Sequence, residues 1–199
     1  FLIGVFLVVV VWFRDSRPLG LVLAPLVFGL LGAALLLGVR PAGEALAFRG
    51  FWFALHVVLA FAGYAGLAVA FAAGLAYLVQ FRALRGKRFG RVFRFFPSLV
   101  LLDRVGRRAL LAGFPALSVA LLVGWTWTVR FQRSLAVSDP QVIWGVLSWL
   151  VFVVALAVRA GGGTAPDRRA ALAAVLGFLA VVAAYVALRV SVSAGRLFL

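Results

Sequence analysis

Five runs of about twenty apolar residues, separated by short basic linkers, constrain this chain more than any other feature of its sequence. They are Leu19–Val39, Phe51–Phe81, Ala109–Val129, Gln141–Val158 and Ala170–Val190. A helix needs roughly 20 such residues to cross the hydrocarbon core of a bilayer. Lipid offers the backbone no hydrogen-bond partners, and these runs are too long for barrel strands, so helices are the expected solution. A sixth run, Phe1–Phe13, has its charges after it and no small-residue cleavage pattern, so it does not read as a signal peptide. It reads as the tail of a transmembrane helix that begins upstream. The expectation is an all-α, polytopic transmembrane bundle of about six spans, forming one integral membrane domain over residues 1–199.

The linkers carry the charge that the spans lack. Only 13% of residues are charged, against about a quarter in soluble domains. The net charge of +15 would suggest nucleic acid in a soluble protein, but here the arginines alternate with apolar spans, so no nucleic-acid partner is expected. The partner implied is the lipid bilayer. Alternate linkers collect 14 of the 20 Lys/Arg on one side, nine of them in 82–108. The positive-inside rule places that loop in the cytoplasm of a bacterial-type cell membrane. Loops 40–50 and 130–140 then lie outside, together with the C-terminal residues.

Phe51–Phe81 would extend about 45 Å as a helix, so it should tilt or project from the bilayer. Ala62, Gly66, Ala70 and Gly74 repeat every four residues along it, a ridge that lets another helix approach closely. In the basic loop, Phe89–Leu99 mixes arginine with phenylalanine and reads either as a helix on the membrane surface or as a plain basic loop.

Few residues can carry chemistry. With no Cys, no Met and a single His, disulfides, cysteine zinc sites and iron–sulfur clusters are excluded within this segment. His56 is the one strong nitrogen ligand for a metal. It lies one turn inside the outer end of its helix, on a face shared with Gly63, Ala70 and Gly74. Small residues beneath a histidine leave room either for a flat ligand or for a close-packed helix. Trp52, Trp125, Trp127 and Trp144 fall at the outer ends of their spans, as an interfacial belt or as a platform for a flat apolar ligand. Asp139-Pro140 fits an N-cap followed by a first helical residue. Asp103, among Arg104, Arg107 and Arg108, reads as a surface ion pair, and Glu44 and Asp167 as isolated loop acids. No hydrolase, phosphate-binding or dinucleotide motif is present, so the chain does not read as an enzyme.

Read in order, Leu55-His56, Gly63-Tyr64 and Tyr77-Leu78-Val79-Gln80-Phe81-Arg82 resemble the cytochrome c assembly family of membrane proteins. So do Pro97-Ser98-Leu99, Leu102-Asp103-Arg104, Gly113-Phe114-Pro115, Gly124-Trp125, Asp139-Pro140, Trp144, Trp149, Arg168-Arg169-Ala170-Ala171 and Gly177-Phe178. The similarity covers about residues 18 to 190 and points to the HemX-like or YpjD-like branch beside the CcsA/ResC type. It implies haem handling at the outer leaflet, in cytochrome c biogenesis or in support of haem biosynthesis, with haem as cofactor or cargo and other assembly proteins as partners. In that family a tryptophan-rich segment ending in Trp-Asp-Pro presents haem between two external histidines. His56 matches the first of these, as a haem-iron ligand, and Asp139-Pro140 matches the end of the motif. Trp125 and Trp127 join them as candidate haem-contacting residues. The chain departs from the pattern at Ser138, at Gln141-Val142, at Ala157 in place of an intramembrane histidine, and in a tail without histidine. The alternatives are a non-haem scaffold or regulator of a tetrapyrrole-synthesis enzyme, acting through 82–108, and a small-molecule transporter.

Overall fold

A computed structural model describes residues 23–29, 32, 50–87, 96–131, 140–161 and 167–195. Nearly all the described residues are helical, with four long helices: α1 (Gly50–Arg85), α2 (Leu99–Phe131), α3 (Pro140–Gly161) and α4 (Arg168–Gly195). Residues 23–29 form a further helical segment. All four long helices are long and apolar enough to cross a membrane. Four such helices in series make the chain a multi-pass membrane protein. The expected span 1–13 and most of 19–39 lie outside the described residues.

The helices form a ring in which α1 packs on α2 and α4, while α3 joins α2 to α4. Contacts along the α1–α2 seam run in opposite directions: His56 meets Gly124, Gly63 meets Leu117, Gly66 meets Gly113, and Ala73 meets Gly106. The two helices are therefore antiparallel, as consecutive spans must be. Glycine makes the approach possible. A Cβ on Gly66 would lie 2.7 Å from the Ala109 carbonyl oxygen and 2.9 Å from the Gly113 Cα. The small-residue ridge is divided between two partners, however. Gly66 serves α2, Gly74 faces α4, where a Cβ would stand 2.9 Å from the Ala171 carbonyl oxygen, and Ala62 is exposed.

Leu67, Phe71, Leu110, Leu117, Phe152, Val175 and Phe178 fill the centre of the ring. A second cluster around Ala72, Ala73, Tyr77, Leu102 and Val105 sits toward the end of the bundle that holds Arg82 and Asp103, and Leu23 packs on it. Exposed apolar side chains form stripes on the outside, such as Ile143, Val146, Leu150 and Val154 on α3. Their spacing of three to four residues is a helix face turned to lipid. Hydroxyls inside the spans donate back to their own helix, Ser118 to the Phe114 carbonyl and Ser148 to that of Trp144, each at 2.8 Å.

The basic linker is shorter than expected, because helix claims both of its ends. α1 continues to Arg85, and α2 begins at Leu99, capped by Ser98 through the Leu101 amide. Residues 88–95, and with them most of the candidate surface helix, lie outside the described residues. Asp167 is not an isolated loop acid. Its carboxylate accepts from the Arg169 amide at 2.9 Å and caps α4. Pro140 opens α3, where a missing N–H costs nothing.

Candidate functional site

At the end of the bundle opposite the basic linker, the first turns of α1 meet the last turns of α2. His56 lies there with its ring against Gly124. A Cβ on that glycine would stand 2.6 Å from the ring's Cε1 and 2.7 Å from Nδ1. This position must lack a side chain for the ring to reach the helix behind it. Nδ1 lies 2.7 Å from the Ala120 carbonyl oxygen. A carbonyl can only accept, so Nδ1 carries the proton and donates, which leaves the Nε2 lone pair available in the neutral ring. No described residue hydrogen-bonds Nε2. Histidines that ligate metals are commonly oriented this way, with one nitrogen anchored to a backbone carbonyl and the other left as the ligand atom.

The strip of small residues below His56 is filled by protein. Gly63 packs on Leu117, and Ala70 and Gly74 are buried. A flat ligand therefore has no room within the α1–α2 seam, and any ligand on His56 must approach from the bundle's end or outer surface. Trp52, one turn before His56, is 59% exposed, and Trp125, next to Gly124, is 52% exposed. Both fit an interfacial belt, at the same end of the bundle as the histidine. The backbone of Trp127 continues α2, but its side chain lies outside the described residues, as does the whole of Asp139.

Trp144 departs from expectation. It is packed inside the ring, stacked on Tyr64 with centroids 4.5 Å apart, tilted against Tyr185 at 5.4 Å, and donating from Nε1 to the Val181 carbonyl at 3.1 Å. It is a bridge from α3 to α1 and α4, so the exposed aromatics at this end include Trp52 and Trp125 but not Trp144. The nearby Trp149 donates to the Ser118 hydroxyl at 2.9 Å and ties α3 to α2.

Among the described residues no group of three or more His, Cys, Asp or Glu could enclose a metal ion. His56 could thus supply a single nitrogen to a metal whose other ligands come from elsewhere, and the described residues offer no second histidine. The fit to haem is that of a single ligand.

The model of the cytochrome c assembly protein family matches residues 1–193 of this chain. The chain belongs to that family. Among curated proteins, family members named cytochrome c biogenesis protein CcsA are similar to it. That of Chlamydomonas reinhardtii is 30% identical over 132 residues, covering 65% of this chain and 35% of that protein. Those of Guillardia theta and Synechococcus sp. (strain CC9902) are each 29% identical over 70% of this chain, and cover 51% and 53% of their own length. The chain thus spans from about a third to about half the length of these relatives. No solved structure matches it. Membership agrees with the order of motifs read from the sequence.

That reading missed one polar feature. At the basic end, Asp103 of α2 pairs with Arg159 of α3 rather than with its neighbouring arginines. The Arg159 guanidinium also donates to the Asp103 backbone carbonyl at 3.3 and 3.4 Å, and both side chains are about 85% buried. The only clue in the sequence is an acid flanked by the apolar positions Leu102 and Val105, both of which are buried.

Proposed function

We propose that this chain handles haem in cytochrome c biogenesis as a non-catalytic membrane component, with His56 as one ligand that would hold the iron at the outer end of the bundle. The observation that carries the reading is the His56 Nδ1–H bond to the Ala120 carbonyl, which fixes the ring and leaves the Nε2 lone pair as the ligand atom. Haem, when bound, would supply an iron centre that takes a nitrogen ligand. The chain's own contribution is to orient that nitrogen, to hold its tautomer through Ala120, and to offer Trp52 and Trp125 as exposed apolar faces beside it. Trp127 and Asp139 are proposed to join the same surface, from the place of Trp127 in the last turns of α2 and of Asp139 just before α3. Family membership and the names of the relatives support the cargo.

Absorption spectroscopy of the purified protein after haem loading in mild detergent tests this. A Soret band is expected that is lost or displaced in His56→Ala and restored by added imidazole. Gly124→Ala should push the ring off the Ala120 carbonyl and weaken haem binding roughly tenfold, the order of loss seen when the partner orienting a ligand is removed. A protein that shows no band after loading, or one whose band ignores His56→Ala, would overturn the assignment.

The proposed orientation puts the basic end in the cytoplasm and His56 outside, supported by the gathering of Arg82, Arg85, Lys87, Arg107, Arg108 and Arg168 at one end. The chain has no cysteine, so a single Lys87→Cys in the exposed turn after α1 reports on sidedness. A membrane-impermeant maleimide should label it only after cells are opened. Labelling in intact cells would invert the topology.

A further inference from the structure

Where the end of α1 passes the start of α4, the two helices leave an open groove of about 530 Å³. That volume falls within the roughly 300–1,000 Å³ range of small-molecule sites. Its walls divide by chemistry along the helix axis. Leu75, Leu78 and Leu172 line the part deeper in the span, and Arg82, Arg85 and Arg168 line the mouth. All three arginines are exposed, and among the described residues none pairs with a carboxylate. Asp167, the cap that precedes α4, accepts from the Arg169 amide. Arg168 is steadied over the Phe81 ring, 5.8 Å from its centroid, so one guanidinium is held at the junction of the apolar and charged parts.

We propose that this groove binds an anionic phospholipid, its phosphate held among Arg82, Arg85 and Arg168 and an acyl chain lying along Leu75, Leu78 and Leu172. Charge complementarity selects the occupant. Guanidinium forks match phosphate oxygens, and a leucine wall continuous with the mouth matches a chain attached to that phosphate. A zwitterionic lipid would bring its own cation into the cluster. A free anion would leave the leucine wall unused. Basic pockets between spans at the cytoplasmic surface are suited to such headgroups. The inference takes only its leaflet from the orientation proposed above, and its readout is separate from haem absorbance.

The experiment is native mass spectrometry of the detergent-purified chain titrated with phosphatidylglycerol or phosphatidylcholine. The expected result is a preference of at least several-fold for phosphatidylglycerol. That preference should fall to within about twofold in Arg82→Gln/Arg85→Gln/Arg168→Gln. The exposed arginines of α2 serve as the control: Arg104→Gln/Arg107→Gln/Arg108→Gln should keep most of it. Equal loss in the control would show general surface charge and overturn the site, as would full retention in the triple variant. If glycerol phosphate without acyl chains displaces the lipid at equal concentration, the groove is an anion site and the lipid assignment is overturned. Should the triple variant fail to fold, the single variants Arg85→Gln and Arg168→Gln each carry the test. Each is expected to lower the preference measurably, and no change in either counts against the groove.

Discussion

Gly66→Leu is expected to prevent the bundle from assembling, while Gly66→Ala should weaken it by about 1–3 kcal/mol, the usual cost of overpacking a close contact. The reason lies in what a side chain would meet. At 2.7 Å from the Ala109 carbonyl and 2.9 Å from the Gly113 Cα, the obstacles are backbone atoms with no rotamer to yield. The helices must separate, and separation is felt along the whole seam. A Cβ on Gly113 would itself lie 3.1 Å from the Gly63 carbonyl and 3.0 Å from the Phe152 ring, so there is no slack on either side. In lipid, such close approach replaces the hydrophobic driving force between helices. Thermal unfolding followed by tryptophan fluorescence, with gel filtration for dispersity, reads the effect. Gly161→Ala, where nothing lies within 4 Å, is the matched control and should leave the midpoint unchanged. A monodisperse Gly66→Leu protein with the parent's midpoint would mean that α1 and α2 do not cross as described. Because His56 reaches Ala120 across the same seam, Gly66→Ala should also loosen the histidine.

Hydropathy locates the spans well because one physical requirement, an apolar segment of bilayer length, sets each of them. Phe51–Phe81 falls inside α1, and Gln141–Val158 inside α3. Helix ends are less legible. Arg82 and Arg85 look like loop residues by charge, yet α1 carries them outward as a last turn, where cations suit the negative end of the helix dipole. Small residues announce that a helix packs closely without naming its partner, so a ridge that looks continuous at Ala62, Gly66, Ala70 and Gly74 serves two neighbours. Trp144 shows the same limit for aromatics. Its position near a span end suits an interfacial belt, but only the placement of Tyr64, Tyr185 and the Val181 carbonyl decides that it points inward. His56 was legible as the one candidate ligand. What holds it, an Ala120 carbonyl 64 residues away and an absent side chain at Gly124, is a tertiary fact.

The second large effect is expected at Asp103. A surface ion pair among neighbouring arginines would contribute about 1 kcal/mol or less, and its loss would pass almost unnoticed. The observed partner changes that expectation. Asp103→Ala leaves the Arg159 guanidinium about 85% buried with only the Asp103 backbone carbonyl to receive it. The Arg159 Nε is already buried without a partner among the described residues. Removing one member of a buried pair typically costs 3–5 kcal/mol; with both side chains partly open to solvent, roughly 3 kcal/mol is expected. Because the penalty is an uncompensated charge rather than a lost contact, removing the second partner should relieve it. Asp103→Leu/Arg159→Met is expected to be more stable than Asp103→Ala alone, and to approach the parent. The two sites should therefore be strongly non-additive in a double-mutant cycle, with unfolding free energies measured by detergent titration. Additive effects, or an Asp103→Ala protein as stable as the parent, would place Asp103 back on the surface. The pair also locks the first turns of α2 to the last turn of α3. Its loss should loosen the basic end of the ring while leaving His56, at the opposite end, on its carbonyl.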